Sequence, residues 1–237
     1  MNRDEARSRH EGDFQQLTHS QPHRLFPTDS LAGGTWFGAN QKGLVLALLN
    51  RYQASNPNGH KSRGLLIPHF LNTWLSASQI AELDARALHD YNPFDLIASD
   101  NQQTWQLSWD GIDVRLKQHT ESHFSFSSSA LNTNQVLDYR QSLFKDWQQK
   151  LPRSMAPSEL AQSVLRDFHL QQTPSAETQS VLMDRHEAHT KSICQARVTD
   201  TATRLQYFDE STVTRFRNQK LLKENPISHG LVFEVTS

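Results

Sequence analysis

The sequence predicts an α+β fold of stacked antiparallel sheets with helices outside, and three observations carry that prediction. Hydrophobic periodicity changes in blocks, giving strands, a helix pair, strands, a second helix pair and strands again. Turn chemistry at Asp100-Asn101 and Asp110-Gly111 joins strand-like runs by short loops, as antiparallel neighbours allow. One run, Gly43 to Asn50, is apolar nearly throughout, as expected of a strand covered on both faces.

Taken in order, the opening thirty residues are polar. Gly34 to Asn40 and Gly43 to Asn50 then read as two strands joined by Gln41 and Lys42. Pro57-Asn58-Gly59 marks a loop, after which Ser62 can cap a helix bearing Leu65, Leu66 and Phe70, with Pro68 limiting its regularity. Ser76 or Ser78 caps a second helix with Ile80, Leu83, Ala87 and Leu88 at helical spacing. Phe94 to Ser99, Thr104 to Trp109, Ile112 to Lys117 and His123 to Ser128 read as a four-stranded antiparallel meander. Asn134 to Lys150 carries Val136, Tyr139, Leu143 and Trp147 on one helical stripe, and Pro157-Ser158 opens a helix that turns Leu160, Val164, Leu165 and Phe168 inward. Gln171 to Thr178 is a polar connection, followed by strands near Lys191 to Val198, Thr203 to Phe208 and Gly230 to Val235. No internal repeat or low-complexity linker divides the 237 residues, so one domain over 1–237 is expected.

Composition narrows the function classes. With 24 basic and 25 acidic side chains the net charge is -1, which offers no bulk field for nucleic acid or an anionic membrane. A single cysteine makes neither an internal disulfide nor a zinc-thiolate cluster. There is no apolar run of membrane-span length and no leader-like apolar stretch near Met1, so a cytoplasmic location is the expectation. Among the 12 histidines the best metal-like cluster is Asp184, His186, Glu187 and His189, but it lacks the His-Glu-x-x-His spacing, and no metal or cofactor is expected. Cys194 reads as a small buried hydrophobe, and Trp36, Trp74, Trp105, Trp109 and Trp147 as core. Gly33-Gly34-Thr35-Trp36 reads as a tight turn into a strand, because the spacing and lysine of a phosphate loop are absent. Ser62-Arg63-Gly64 reads as a helix start with its arginine on the surface.

Several strings are more specific in succession. Asn2-Arg3-Asp4-Glu5 precedes Gly33-Gly34-Thr35-Trp36, then Gly43 with Leu48-Leu49-Asn50, then Ser62-Arg63-Gly64. Later come the serines at 127–129, an arginine-bearing helix (Arg140) and His189-Thr190-Lys191-Ser192. This order resembles the NRDE family, also called the transport and Golgi organisation family. The resemblance implies a four-layer αββα sandwich like that of N-terminal-nucleophile hydrolases such as the bile-salt and penicillin acylases. In that architecture a cysteine at the head of the first strand attacks an amide carbon, and its own α-amine, with a pKa of about 7.7 to 8.0, takes the thiol proton. Carried over by position, the resemblance implies Arg3 and Asp4 beside the nucleophile and Asn50 as an oxyanion donor. It implies Ser127 or Ser128 as a polar pocket residue, and Lys191 closing the pocket. The family pattern has a cysteine-led strand ahead of its NRDE string, whereas this chain begins Met1-Asn2-Arg3. That strand is therefore expected to be missing, through a start placed inside a longer reading frame or, alternatively, through true loss. The chain should then be inactive as an amidase, with a small-molecule ligand. A second implication of the resemblance is a non-catalytic carrier in haem handling or membrane traffic, with no haem-attachment string present.

Overall fold

A computed structural model of the chain describes residues 1–218 and 226–236. Its strands are β1 (Asn2–Ala6), β2 (Gln15–Leu17), β3 (Arg24–Phe26), β4 (Phe37–Asn40), β5 (Val45–Asn50), β6 (Phe94–Ser99), β7 (Thr104–Trp109), β8 (Val114–His119), β9 (Ala188–Val198), β10 (Ala202–Phe208) and β11 (Leu231–Thr236). The α-helices are α1 (Leu66–Leu71), α2 (Ala77–Ala81), α3 (Ala85–Leu88), α4 (Thr133–Gln149), α5 (Pro157–Ser163) and α6 (Glu210–Asn218). Strands β2 to β8 form a seven-stranded sheet in chain order, while the other four pair in the order β1-β9-β10-β11. Every pairing in both sheets is antiparallel.

Strand alternation builds the layers. In β5, Leu46 and Leu48 point outward to α1, α2 and α3, while Val45 and Ala47 point inward to Cys194, Leu205 and Tyr207 of the smaller sheet. On the far side of the smaller sheet, Ile193 and Phe208 meet Val213 and Phe216 of α6, together with Leu165 and Leu182. The result is the helix-sheet-sheet-helix order that the resemblance implies. Among the described residues no helix is long and apolar enough to cross a membrane.

Most of the expected elements are present. The hairpin of β4 and β5 turns through Asn40, whose Oδ1 accepts from Lys42 N at 3.0 Å and Leu44 N at 3.2 Å, with Gly43 at φ 81°. Four expectations need correction. His123 to Ser128 is not a strand, so the meander has three strands, and this segment lines a cavity instead. The second expected helix is two: Ser76 caps α2 with a capping box, and Asp84 accepts from Arg86 and Ala87 N to start α3, which breaks the run at Glu82 and Leu83. The buried stripe of α4 is Val136, Arg140, Phe144 and Trp147, rotated away from Tyr139 and Leu143 because Arg140 has partners to bury against. Trp74 is 58% exposed, its ring lying beneath the Lys42 ammonium at 4.9 Å. The polar opening, to which no element was assigned, supplies β1, β2 and β3, and the polar helix α6 also carries too little periodic signal to be seen.

Candidate functional site: a cationic cavity at the edge strand

The string Asn2-Arg3-Asp4-Glu5 forms β1, the edge strand of the smaller sheet. Successive side chains alternate across it. Asn2 Nδ2 donates to the carbonyls of His169 and Val181 at 3.0 and 2.7 Å on the helical side. Arg3 points between the sheets, its guanidinium 4.2 Å from the Trp36 ring centre and its Nη1 donating to Glu11 Oε1 at 3.0 Å. Glu11 also accepts from Ser192 Oγ at 2.5 Å and from the Tyr207 hydroxyl. Burial first, and then the Glu11 carboxylate, hold the Tyr207 phenol above its usual range, so it stays a donor. Asp4 turns to the helical side, where Oδ2 accepts from Arg140 Nη2 at 2.8 Å and Oδ1 from Thr190 Oγ1 at 2.6 Å.

Between Arg3 and Asp4 the ladder slips. Arg3 faces Ser192 and Asp4 faces Thr190, leaving Lys191 as the extra residue of a bulge in β9. This re-aims Lys191. Its ammonium, 1% exposed, donates to both Glu210 oxygens at 3.0 and 2.9 Å and to the Arg7 carbonyl at 3.1 Å. Lys191 therefore does not line the cavity, a correction to its expected place closing the pocket.

Around β1 lies a cavity of about 790 Å³. Arg3, Asp4, Asn50, Ser127 and Ser128 all line it, so five of the six expected site residues converge. Asn50 ends β5 and donates from Nδ2 to the Tyr52 hydroxyl at 3.3 Å. Ser127 Oγ accepts from Arg140 Nη1 at 3.2 Å, and Ser129 Oγ from Arg185 Nη2 at 3.0 Å. The lining also has apolar members from three packed clusters, Leu48, Trp36, and Phe144 with Phe168 and Val181, together with Phe126. The π-helical stretch Val164–His169, continuing α5, brings Val164, Phe168 and His169 to the cavity. Burial, and secondarily the Met1 ammonium, hold the His169 imidazole well below the usual histidine range, so it is neutral at neutral pH.

Cations outnumber carboxylates in the lining. Arg3, Arg9, Lys61, Arg63, Arg140 and Arg185 stand there with Asp4, Glu5 and Asp29, while Glu11 and Asp90, which pair with Arg3 and Lys61, lie outside it. Asp29 takes two bonds from the Arg9 guanidinium and one from Leu31 N. Burial alone would raise its pKa, but these bonds outweigh it and hold the carboxyl below the usual range. Arg63, expected on the surface, is half-buried and donates to the Pro93 carbonyl at 2.8 Å. Burial, with Arg9 adding like charge, lowers its pKa. It reaches the cavity because the two glycine strings pack backbone to backbone. Thr35 N donates to Gly64 O at 2.9 Å, and a Cβ on Gly34 would sit 2.5 Å from the Gly64 carbonyl carbon. Sequence reasoning missed Glu11, Arg185 and His169: Glu11 lies in a polar stretch, His169 follows the apolar stripe at Phe168, and Arg185 sits unmarked within the cluster weighed for metal.

The lining contains no thiol. Cys194 is fully buried between the sheets, where burial pushes its thiol up to about 12. Of the four residues weighed for metal, Asp184 pairs with Arg7 and Arg217, His189 pairs with Glu210, and the side chains of His186 and Glu187 lie 95% and 78% exposed.

A family model described as Transport and Golgi organisation 2 matches residues 1–214. The chain is similar to the Transport and Golgi organization 2 homolog of Mus musculus, 35% identical over 69 residues, which is 29% of this chain and 25% of that protein. It is also similar to the Homo sapiens homolog, 37% identical over 68 residues, again 29% of this chain and 25% of that protein. The aligned part thus spans about a quarter of the length of these curated relatives. Among solved structures, penicillin V acylase from Agrobacterium tumefaciens is similar with a TM-score of 0.49 and 13% identity, over 85% of this chain and 76% of that one.

Proposed function

The chain belongs to the Transport and Golgi organisation 2 family, and from that premise we propose that it is a small-ligand-binding scaffold of amide-hydrolase type that holds its ligand without cleaving a C–N bond. The observation that carries this reading is the cavity around β1, roomy, cationic and aromatic, and free of any thiol. Amide cleavage by a cysteine needs the sulfur within reach of the carbonyl carbon, a base for its proton and donors aimed at the developing oxyanion. Cys194 is buried, and its raised pKa leaves almost no thiolate at neutral pH. The serines are no substitute, since Ser127 and Ser129 engage arginines rather than an imidazole that could take a proton.

Binding is the task these residues fit. Asn50 offers an amide to a ligand carbonyl, and Ser127 and Ser128 offer hydroxyls. Arg3 and Asp4 fix the strand that divides the cavity, their charges committed to Glu11 and to Arg140. The test is direct. The purified chain should bind hydrophobic fluorescent probes in the micromolar range and show no turnover of an amide library. Turnover that disappears in Cys194→Ala or Ser127→Ala would overturn the reading.

A second reading, a haem carrier, is favoured by one observation. His169 lines the cavity with a neutral imidazole whose Nδ1 has no hydrogen-bond partner among the described residues. Haem titration should then give a Soret shift that is lost in His169→Ala, and no shift would sink it.

A further inference from the structure

The helical end of the cavity holds two guanidinium groups and one carboxylate. Arg140 spends Nη2 on Asp4 and the Ser180 carbonyl, at 2.8 and 2.9 Å, and Nε on the Gln179 carbonyl at 3.2 Å. Arg185 donates from Nε to the Thr178 carbonyl at 2.8 Å and from Nη2 to Ser129 Oγ. Its Nη1 has no hydrogen bond, and no carboxylate pairs with it among the described residues. Burial, and next the like charge of Arg140, lower the Arg185 pKa against the opposing fields of Asp4 and Glu187, so a guanidinium without an ion-pair partner stands in a partly dry site. Ser128 lines the same end with a hydroxyl that has no hydrogen-bond partner among the described residues.

An apolar surface adjoins this charge. Phe144 lies one helical turn beyond Arg140 on α4, and Val181 follows the residue whose carbonyl Arg140 holds. Phe144 and Phe168 pack with ring centres 5.5 Å apart, and all three side chains line the cavity.

Resting on the ligand-binding reading above, we propose that Arg140 and Arg185, with the hydroxyls of Ser127 and Ser128, form a subsite for the carboxylate of an apolar acid whose body lies over Phe144, Phe168 and Val181. One carboxylate supplies the ion-pair partner that Arg185 lacks and fits a guanidinium fork, whereas a phosphate dianion would leave the site over-compensated.

The experiment compares three probes with one ten-carbon tail, decanoate, 1-decanol and decyl phosphate, by isothermal titration of the full chain at about pH 7.5. Decanoate should bind at least about tenfold more tightly than decanol, the worth of one charge-assisted hydrogen bond, and decyl phosphate no more tightly than decanoate. In Arg185→Gln the ratio of decanoate to decanol affinity should fall toward one, and in Arg185→Lys it should fall less. Ser128→Ala, whose hydroxyl holds nothing in the fold, should lower the ratio a few-fold. Equal affinities for decanoate and decanol, or a ratio unchanged in Arg185→Gln, would overturn the subsite while leaving the cavity a ligand site. Decyl phosphate tenfold tighter than decanoate would also overturn it, in favour of a phosphate site. If none of the probes bound, the ligand-binding reading itself would fall with it.

Discussion

Neutralising Glu11 tests how the edge strand is held. Glu11→Gln keeps the size of a side chain that accepts from Arg3, Ser192 and Tyr207, and removes only its charge. The Arg3 side chain is 6% exposed and that of Glu11 9%, so the pair is effectively buried. Removing one partner of a buried ion pair costs about 3–5 kcal/mol, because the other charge is left unpaired. Arg3 keeps two weaker supports, the Glu5 carboxylate 3.6 Å from Nη2 and the face of Trp36. These place the expected loss at the lower end, about 3 kcal/mol, or roughly two powers of ten in the folding equilibrium. Urea denaturation followed by tryptophan fluorescence measures it. The double variant Arg3→Met with Glu11→Leu should be more stable than the sum of its single changes by at least about 1 kcal/mol, since it leaves no orphaned charge. A Glu11→Gln protein within about 0.5 kcal/mol of the parent, below any of the named mechanisms for large effects, would refute the reasoning.

Three further outcomes follow from the same structure. Gly34→Ala should cost at least about 1–3 kcal/mol by overpacking, because its Cβ meets Gly64 backbone rather than a flexible side chain, and thermal unfolding would reveal it. Ser76→Ala removes the capping box of α2 and should cost about 0.5–2 kcal/mol by urea midpoint, whereas Ser62→Ala should cost less, since the Ser62 side chain makes no cap bond. His169 is held neutral by burial, so below about pH 6.5 the unfolded chain binds the proton that the folded chain refuses. Its contribution to stability is complete above that pH and is lost as pH falls from about 6.5 toward the lower folded value, by up to about 1.4 kcal/mol per unit. Urea midpoints between pH 7.5 and 5.5 should fall less steeply in His169→Asn than in the parent, and equal slopes would contradict the assignment.

What was readable beforehand follows from how locally each signal is written. The strands β6 and β7 were expected at Phe94 to Ser99 and Thr104 to Trp109, and they occupy those residues, because alternation and Asp-rich turns are properties of neighbouring residues. The segment His123 to Ser128 shows the limit of that signal. Phe124 and Phe126 alternate as a strand would, yet they pack on each other and on His119, and the segment lines the cavity. Strand β1 is the converse case. Four polar residues give no strand pattern, and they form one because β9 offers its backbone and buried partners receive the charges of Arg3 and Asp4.

Local patterning carried the α+β class and most strand and helix positions, the single cysteine ruled out an internal disulfide or a zinc-thiolate cluster, and the order of the short strings pointed to the family. It also marked Arg3, Asp4, Asn50, Ser127 and Ser128, which meet around one cavity. What those residues do there depends on packing across the layers. The bulge in β9 sends Lys191 to Glu210, and Gly34 against Gly64 carries Arg63 into the wall. Arg140 and Arg185, 45 positions apart by their numbers, come to stand together with Asp4 bonded, of the two, to Arg140 alone. Local propensity is set by neighbours along the chain, whereas the balance of charge in a cavity depends on which distant side chains the packed layers bring within a few ångströms of one another.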